Sequence, residues 1–379
     1  READRALRLH GGGEGLLDTT HFDTVRFPPP PWAADVMRAA ASDGELAYTP
    51  YRGHPGVLDA LAAPLTALLG VPVDPRLNVV LTPGTQAGLF TTMSALVDPG
   101  DLVLVADPEY LFSERMLAFL GARVERIPVH HHDGVADLDL DAVERLLPQR
   151  PRLMLFSHPH NPTGVVHPPS TIARLAALAV AGGFRVLVDQ LYCRLVYDDT
   201  PYRHLVAEPG MADRTVTLLG PSKTESLSGY RLGVVVGPPD VMDAVEQTLA
   251  ITSLRAPAYA QQLLRHWLVD DREFVRERLV DLRALRETTV RRLNEVPGLR
   301  LRRQAGTAYA FPDVSALGVD DRLVAAALRN QAGIIVSPGY QFGPSGVGHF
   351  RVCYARDEEE WNSALDRIVA ALRSIPTRR

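Results

Sequence analysis

Seven short apolar runs fall between residues 78 and 237: Val79–Leu81, Leu102–Ala106, Val124–Ile127, Leu153–Phe156, Val186–Val188, Val216–Leu219 and Gly233–Val236. Segments of helical spacing fill most of the intervals, at Gln86–Val97, Glu114–Leu120, Leu138–Leu147 and Thr171–Ala181. A strand that is apolar throughout must be covered on both faces, and helices alternating with strands supply that cover. The pattern predicts an α/β chain with a large domain built on a mainly parallel seven-stranded sheet.

The flanks read differently. The first 30 residues are Gly-rich and then Pro-rich, ending in Phe27-Pro28-Pro29-Pro30-Pro31, which predicts a non-helical arm or lid over the body. Helices are expected at Trp32 to about Ser42 and from about Val57 to Leu69. Beyond Pro238-Pro239 come long helical stretches, notably Asp271–Asn294. Strand-like pieces follow at Leu299–Arg302, Ala308–Phe311, Gly333–Val336 and His349–Cys353, then a closing helix near Glu358–Leu372. This texture predicts a smaller C-terminal α+β domain. The division expected is an arm with a small-domain segment over 1–44, a large domain over 45–255, and the small domain over 256–379.

Net charge is −5 with no basic stripe, which argues against nucleic acid as a partner. No apolar run approaches the ~18 residues that span a bilayer. The charged opening, Arg1 to His10, leads into Gly11-Gly12-Gly13 and does not read as a secretory signal. Cys193 and Cys353 are too few for a disulfide framework. A cytoplasmic protein is expected. The run His130-His131-His132 falls in an expected surface loop, and adjacent histidines point apart, so no metal is assigned to it.

Lys223 is the only lysine among 379 residues; the other 39 of the 40 basic residues are arginine. Arginine matches lysine's charge but stays protonated and forms no Schiff base. A chain that has arginine everywhere else therefore points to a need for an amine at this position. The bland alternative is one surface lysine left by chance. Lys223 follows an apolar run and precedes a Gly/Ser-rich turn, with Arg231 eight residues on, as suits an aldehyde–phosphate ligand.

Other polar residues gather where these strands end, which is where open α/β sheets bind ligands. Gly84, Thr85 and Gln86 open a helix, whose free N–H groups favour a phosphate. Asp107-Pro108-Glu109-Tyr110 brings an aromatic ring to the mouth. His158-Pro159-His160-Asn161-Pro162-Thr163-Gly164 is a turn that presents the Asn161 amide. Asp189 closes an apolar strand, with Tyr192 three residues on. Its carboxylate pairs either with a protonated ring nitrogen of an electron-sink cofactor or with a local arginine such as Arg194. Arg351 lies inside an apolar strand, where a guanidinium wants a forked carboxylate partner.

Together these residues resemble the class I/II aminotransferases among fold-type I enzymes dependent on pyridoxal 5'-phosphate (PLP), in order from about residue 45 to the C-terminus. The most specific parts are Asn161-Pro162-Thr163-Gly164, the Asp189…Tyr192 pair, and Ser222-Lys223 with Gly229-Tyr230-Arg231-Leu232-Gly233. The resemblance implies transfer of an amino group from an amino acid to a 2-oxo acid, with Lys223 as Schiff-base amine and general base. It implies Asp189 on the ring nitrogen, Tyr192 and Asn161 on the ring oxygen, and Tyr110 stacked on the ring. Gly84, Thr85, Gln86, Ser222 and Arg231 would serve the phosphate, with Tyr48 from the partner of a homodimer. Arg351, Asn161 and Phe22 would meet the substrate.

The departures are Gly220 where a hydroxyl residue is usual, Gln190-Leu191 after Asp189, and the arm Asp18-Thr19-Thr20-His21-Phe22-Asp23. The arm keeps a second reading open: elimination, replacement, oxidation or decarboxylation on the same scaffold. A PLP-binding sensor without turnover is a remoter third, since no helix-turn-helix fits before residue 45. Arg26, Arg52 and Arg255 are candidates for a distal carboxylate; Phe22, Phe112 and Tyr340 are candidates for an apolar side chain.

Overall fold

The computed structural model describes residues 15–22, 27–42, 46–130 and 137–375. His131, His132, Asp23 and Arg26 lie outside them, as do Gly11 to Gly13. A two-residue strand, β1 (Leu17–Asp18), opens the described chain. The main sheet follows in β2 (Val79–Pro83), β3 (Leu102–Asp107), β4 (Arg123–His130), β5 (Asp137–Leu138), β6 (Leu153–Ser157), β7 (Arg185–Asp189), β8 (Thr215–Leu219) and β9 (Leu232–Val236). Their spatial order is β2-β9-β8-β7-β6-β3-β4-β5.

All seven expected runs are strands, and the sheet has an eighth, β5, at its edge. The chain pairs in parallel from β8 through β7, β6 and β3 to β4. β9 is antiparallel to both neighbours, and β5 is antiparallel to β4.

Alternate residues serve opposite faces, as the two-residue period of a strand requires. Val103, Val105, Leu153, Leu155, Leu187 and Val235 pack with Leu89 and Met93 of the helix Thr85–Leu96 and Met242 of the helix Pro239–Thr252. Leu104, Met154, Phe156, Val186 and Val188 face the other way, onto Ile172 and Leu175 of the helix Pro169–Gly182. Toward the β2 edge, Leu81, Leu219 and Val234 share a core with Leu61, Leu65 and the segment Ala256 to Leu268.

The remaining strands are β10 (Tyr309–Ala310), β11 (Ile334–Ile335), β12 (Ser337–Pro338) and β13 (Phe350–Cys353). They form a three-stranded sheet, β10-β13-β12, and a separate parallel pair, β1-β11. Leu282, Leu285 and Leu293 from the long helix Arg272–Leu293 pack there with Trp361 and Leu365 from the helix Glu358–Ser374. The buried Trp361 indole donates to Thr289 Oγ1 at 2.8 Å. Leu299–Arg302 is not a strand: Arg300 makes one isolated bridge to Asp313, and no ladder extends it.

The described arm residues are non-helical, and buried arginines hold them. Arg356 donates to the carbonyls of Asp18 and, at 2.7 Å, of His21, while Arg351 donates to the Thr20 carbonyl at 2.7 Å. No helix among the described residues is long and apolar enough to cross a membrane.

Candidate active site

Parallel pairing brings the ends of β3, β6, β7 and β8 to one edge of the sheet. Register sets Ser157 opposite Asp189, and Asp189 opposite Leu218. Just beyond this edge a cavity of about 180 Å³ is lined by Thr85, Gln86, Tyr110, Asn161, Asp189, Tyr192, Ser222, Lys223, Arg231 and Arg351. Ten of the thirteen residues to which the resemblance gave a role thus share one cavity.

Lys223 is half-buried in its wall, with Nζ 5.7 Å from the centre of the Phe22 ring. Among the described residues its ammonium has no hydrogen-bond or ion-pair partner. The loop that carries it is clamped from behind. Arg194 pairs with Glu225 and, at 2.8 Å, with Asp271. Arg278 donates to the Thr224 carbonyl at 3.1 Å and to Ser226 Oγ at 2.6 Å. Ser226 and Arg231 hold φ of 56° and 55°, left-handed backbone that costs a non-glycine residue about 1 kcal/mol or more.

Arg194, the local arginine open to Asp189, is committed to Glu225 and Asp271, and among the described residues the Asp189 carboxylate has no arginine partner. Its Oδ1 accepts the Leu191 N–H at 3.1 Å. Burial pushes its pKa up to about 6, while that hydrogen bond and the charge of Lys223 pull the other way. The rise from 3.8 represents at most about 3 kcal/mol that a ligand cation beside Asp189 would recover.

The opposite end of the cavity suits an anion. Gly84 precedes the helix Thr85–Leu96 and offers no side-chain cap, so first-turn N–H groups remain for a ligand. Arg231 lies against Gly84 so closely that a Cβ there would stand 2.3 Å from Nη2, and φ is +84°. Gly84 is therefore one layer behind the cavity, admitting the guanidinium rather than lining the space. Thr85 Oγ1 is buried without a partner. A Cβ on Gly220 would sit 3.2 Å from that same oxygen and 3.1 Å from the Leu232 carbonyl. A side chain at 220 would therefore crowd Thr85 and the Leu232 carbonyl unless they shift by a few tenths of an ångström.

At the third corner, Arg351 is buried between the rings of Tyr309 and Phe342, 4.0 and 4.8 Å from their centres. It donates from Nη1 to Asn161 Oδ1 at 2.7 Å and from Nη2 to the arm, and its Nε is buried without a partner. Tyr110 donates its hydroxyl to Gln86 Oε1 at 3.0 Å. Tyr192 donates to the Tyr309 hydroxyl at 3.3 Å, and burial holds its own pKa well above the usual phenol value.

Two of the residues given roles by the resemblance lie outside the cavity of their own chain, Phe22, expected at the substrate, and Tyr48, expected to serve the other copy of a dimer. Phe22 is 3% exposed and does not line the cavity; it packs behind Tyr192 and Tyr309, at 6.2 and 5.8 Å between ring centres. Its neighbours Thr20 and His21 line the space instead. Tyr48 is 84% exposed and lies outside the cavity, its ring 4.4 Å from the Arg255 guanidinium. Arg52 is tied to Asp243 and Glu246, and neither it nor Arg255 reaches the cavity. Phe112 and Tyr340 are likewise absent from its walls. Leu89, Leu191, Ser228 and Tyr309 complete the lining; Leu191 was noted only as a departure after Asp189, and the other three were not singled out from the sequence. Of these only Tyr309, an aromatic in the small apolar run Ala308–Phe311, carried a signal.

An amine with no partner among the described residues, a desolvated carboxylate, an anion cradle and a buried guanidinium surround one small cavity. Residues 18–368 match the family model for aminotransferase class I and II. An aspartate/prephenate aminotransferase of Thermus thermophilus is 30% identical over 373 residues, 97% of this chain and 94% of that protein. An arginine–pyruvate transaminase of Pseudomonas aeruginosa is 31% identical over 370 residues, 96% of this chain and 92% of that protein. Among solved structures, an aspartate aminotransferase from Rhodobacter sphaeroides superposes with a TM-score of 0.93 at 35% identity, covering 99% of this chain and all of that one. The chain belongs to the class I and II aminotransferases and is an enzyme of amino-group transfer.

Proposed function

We propose that the cavity holds PLP on Lys223 and that the protein transfers the amino group of an L-amino acid to a 2-oxo acid. The observation that carries this is the amine of the chain's sole lysine, unpaired and facing the same space as Asp189, Arg231 and Arg351. The residues fit the group. Thr85 Oγ1, an orphaned buried hydroxyl, stands with Ser222, Arg231 and the helix start for the phosphate, and the unpartnered side of Asp189 suits the ring nitrogen. Tyr110 offers its ring face. Asn161 has its oxygen taken by Arg351, which leaves its amide nitrogen, with the Tyr192 hydroxyl on the same cavity, for the ring oxygen.

When bound, PLP supplies an aldehyde that bonds covalently to amines and a ring that accepts the electron pair freed at the substrate Cα. Asp189 holds a proton on the ring nitrogen and so strengthens that acceptance. Lys223 Nζ would be the amine that carries the cofactor and the base that takes and returns the substrate Cα proton. Arg351 binds the α-carboxylate and turns the Cα–H toward Lys223, while Thr20 and His21 cover the mouth and limit water. A homodimer in the cytoplasm is part of this reading, with Tyr48 completing the phosphate site of the other copy. Its high exposure and its distance from its own cavity support that role.

The test is an assay of amino donors against 2-oxo acids, with aspartate and arginine first because two relatives are named for them. Stoichiometric appearance of a new amino acid is expected; ammonia release or oxygen uptake without it would overturn the reading. In the same assay Arg351→Lys is expected to raise the donor KM about 30-fold, since losing the two-point fork costs roughly 2 kcal/mol. An unchanged KM would move the carboxylate site elsewhere.

A further inference from the structure

Glu109 takes no part in the chemistry above, yet it is buried to 4% exposure at the mouth of the sheet, one residue before Tyr110. Its Oε1 accepts the Tyr110 N–H at 2.6 Å and the Ser157 hydroxyl at 2.8 Å, and its Oε2 accepts the Ser157 N–H at 2.8 Å. Ser157 Oγ in turn accepts the Asn161 N–H at 3.0 Å. Asn161 Oδ1 accepts from Arg351. One side chain thus joins the loop after β3 to the turn after β6, and Asn161, held by its backbone to Ser157 and by its side chain to Arg351, carries the link onward.

Such a carboxylate is a costly way to fill space. Burial pushes its pKa up to about 8 even though three donors from Tyr110 and Ser157 oppose the rise, and the negative Asp189 adds to it. His160 Nε2 stands 3.7 Å from Oε2. An apolar side chain of similar volume would close the same gap without the desolvation cost. What it cannot do is hold two backbone N–H groups and a hydroxyl at fixed directions. The value of Glu109 lies in that geometry.

We propose that Glu109 is a positioning residue that fixes Tyr110 and Asn161 relative to each other, and so sets the spacing between the cofactor's ring face and the Arg351 carboxylate clamp. The inference rests on the reading given under Proposed function. The line has two halves that variants separate. Ser157→Ala removes the hydroxyl that links Glu109 to Asn161 but leaves the Tyr110–Glu109 bond. Glu109→Ala releases both.

The experiment uses PLP-saturated protein and measures kcat, donor KM and PLP dissociation for wild type and both variants. Ser157→Ala is expected to raise donor KM about tenfold with PLP affinity unchanged. Glu109→Ala is expected to lower kcat/KM about 100-fold and to weaken PLP binding as well, since misplacement of about 1 Å has that scale of effect. Wild-type KM and PLP affinity in both variants, with only the melting temperature lowered, would overturn the proposal and leave Glu109 a structural acid. If Glu109→Ala does not fold, a wild-type KM in Ser157→Ala overturns it alone. Failure of the underlying reading would show in the wild type, as no PLP uptake, so the two failures appear in different proteins.

Discussion

Replacing Lys223 by alanine is expected to lower amino-group transfer by about four orders of magnitude or more, with the fold intact. The size follows from the two roles given to one atom: Nζ is the amine that anchors the cofactor and the base that moves the Cα proton. The intact fold follows from its surroundings. Nζ has no hydrogen-bond or ion-pair partner among the described residues, and the loop is held by its flanks, through Arg194 on Glu225 and Arg278 on Thr224 and Ser226. A wild-type melting temperature with no turnover is the predicted pair of results. Retained turnover would remove the reading entirely, because no second lysine exists to take over.

Asp189→Ala carries the second largest effect. An uncompensated charge of this kind costs about 3–5 kcal/mol, so the rate should fall by roughly two to four orders of magnitude, with weaker cofactor retention. The position is informative because among the described residues the carboxylate has no arginine partner and burial raises its pKa to about 6. A residue kept for stability alone would be paired. Kinetics and thermal melts on the same preparation separate the cases. A lowered melting temperature with unchanged kcat would make Asp189 merely the acceptor that closes its own turn on Leu191.

The large sheet was legible in the sequence because strands covered on both faces are continuously apolar, and seven such runs were each found as strands. β5 was not, since two residues carry no periodicity. Leu299–Arg302 shows the reverse error. Its alternation is strand-like, but only Arg300 makes a bridge, to Asp313, while the Leu301 backbone is taken by the Asn294 side chain. Site residues at strand ends could be read because parallel pairing necessarily collects them at one edge. Residues delivered by docking could not. Thr20 and His21 reach the cavity because β1 pairs with β11 and because Arg351 and Arg356 grip arm carbonyls, which no local pattern encodes. Phe22 was singled out for its ring, yet that ring finds more contact behind Tyr192 than in the cavity. Glu109 shows its role only once β3 and β6 are neighbours.

The central claim is that the cofactor is carried by one named amine. Treating the PLP-loaded protein with borohydride, digesting it and weighing the peptides tests this most directly. The account predicts pyridoxyl phosphate fixed to the peptide that contains Lys223 and to no other. An unmodified Lys223 peptide, in protein that nonetheless transfers amino groups, would contradict it.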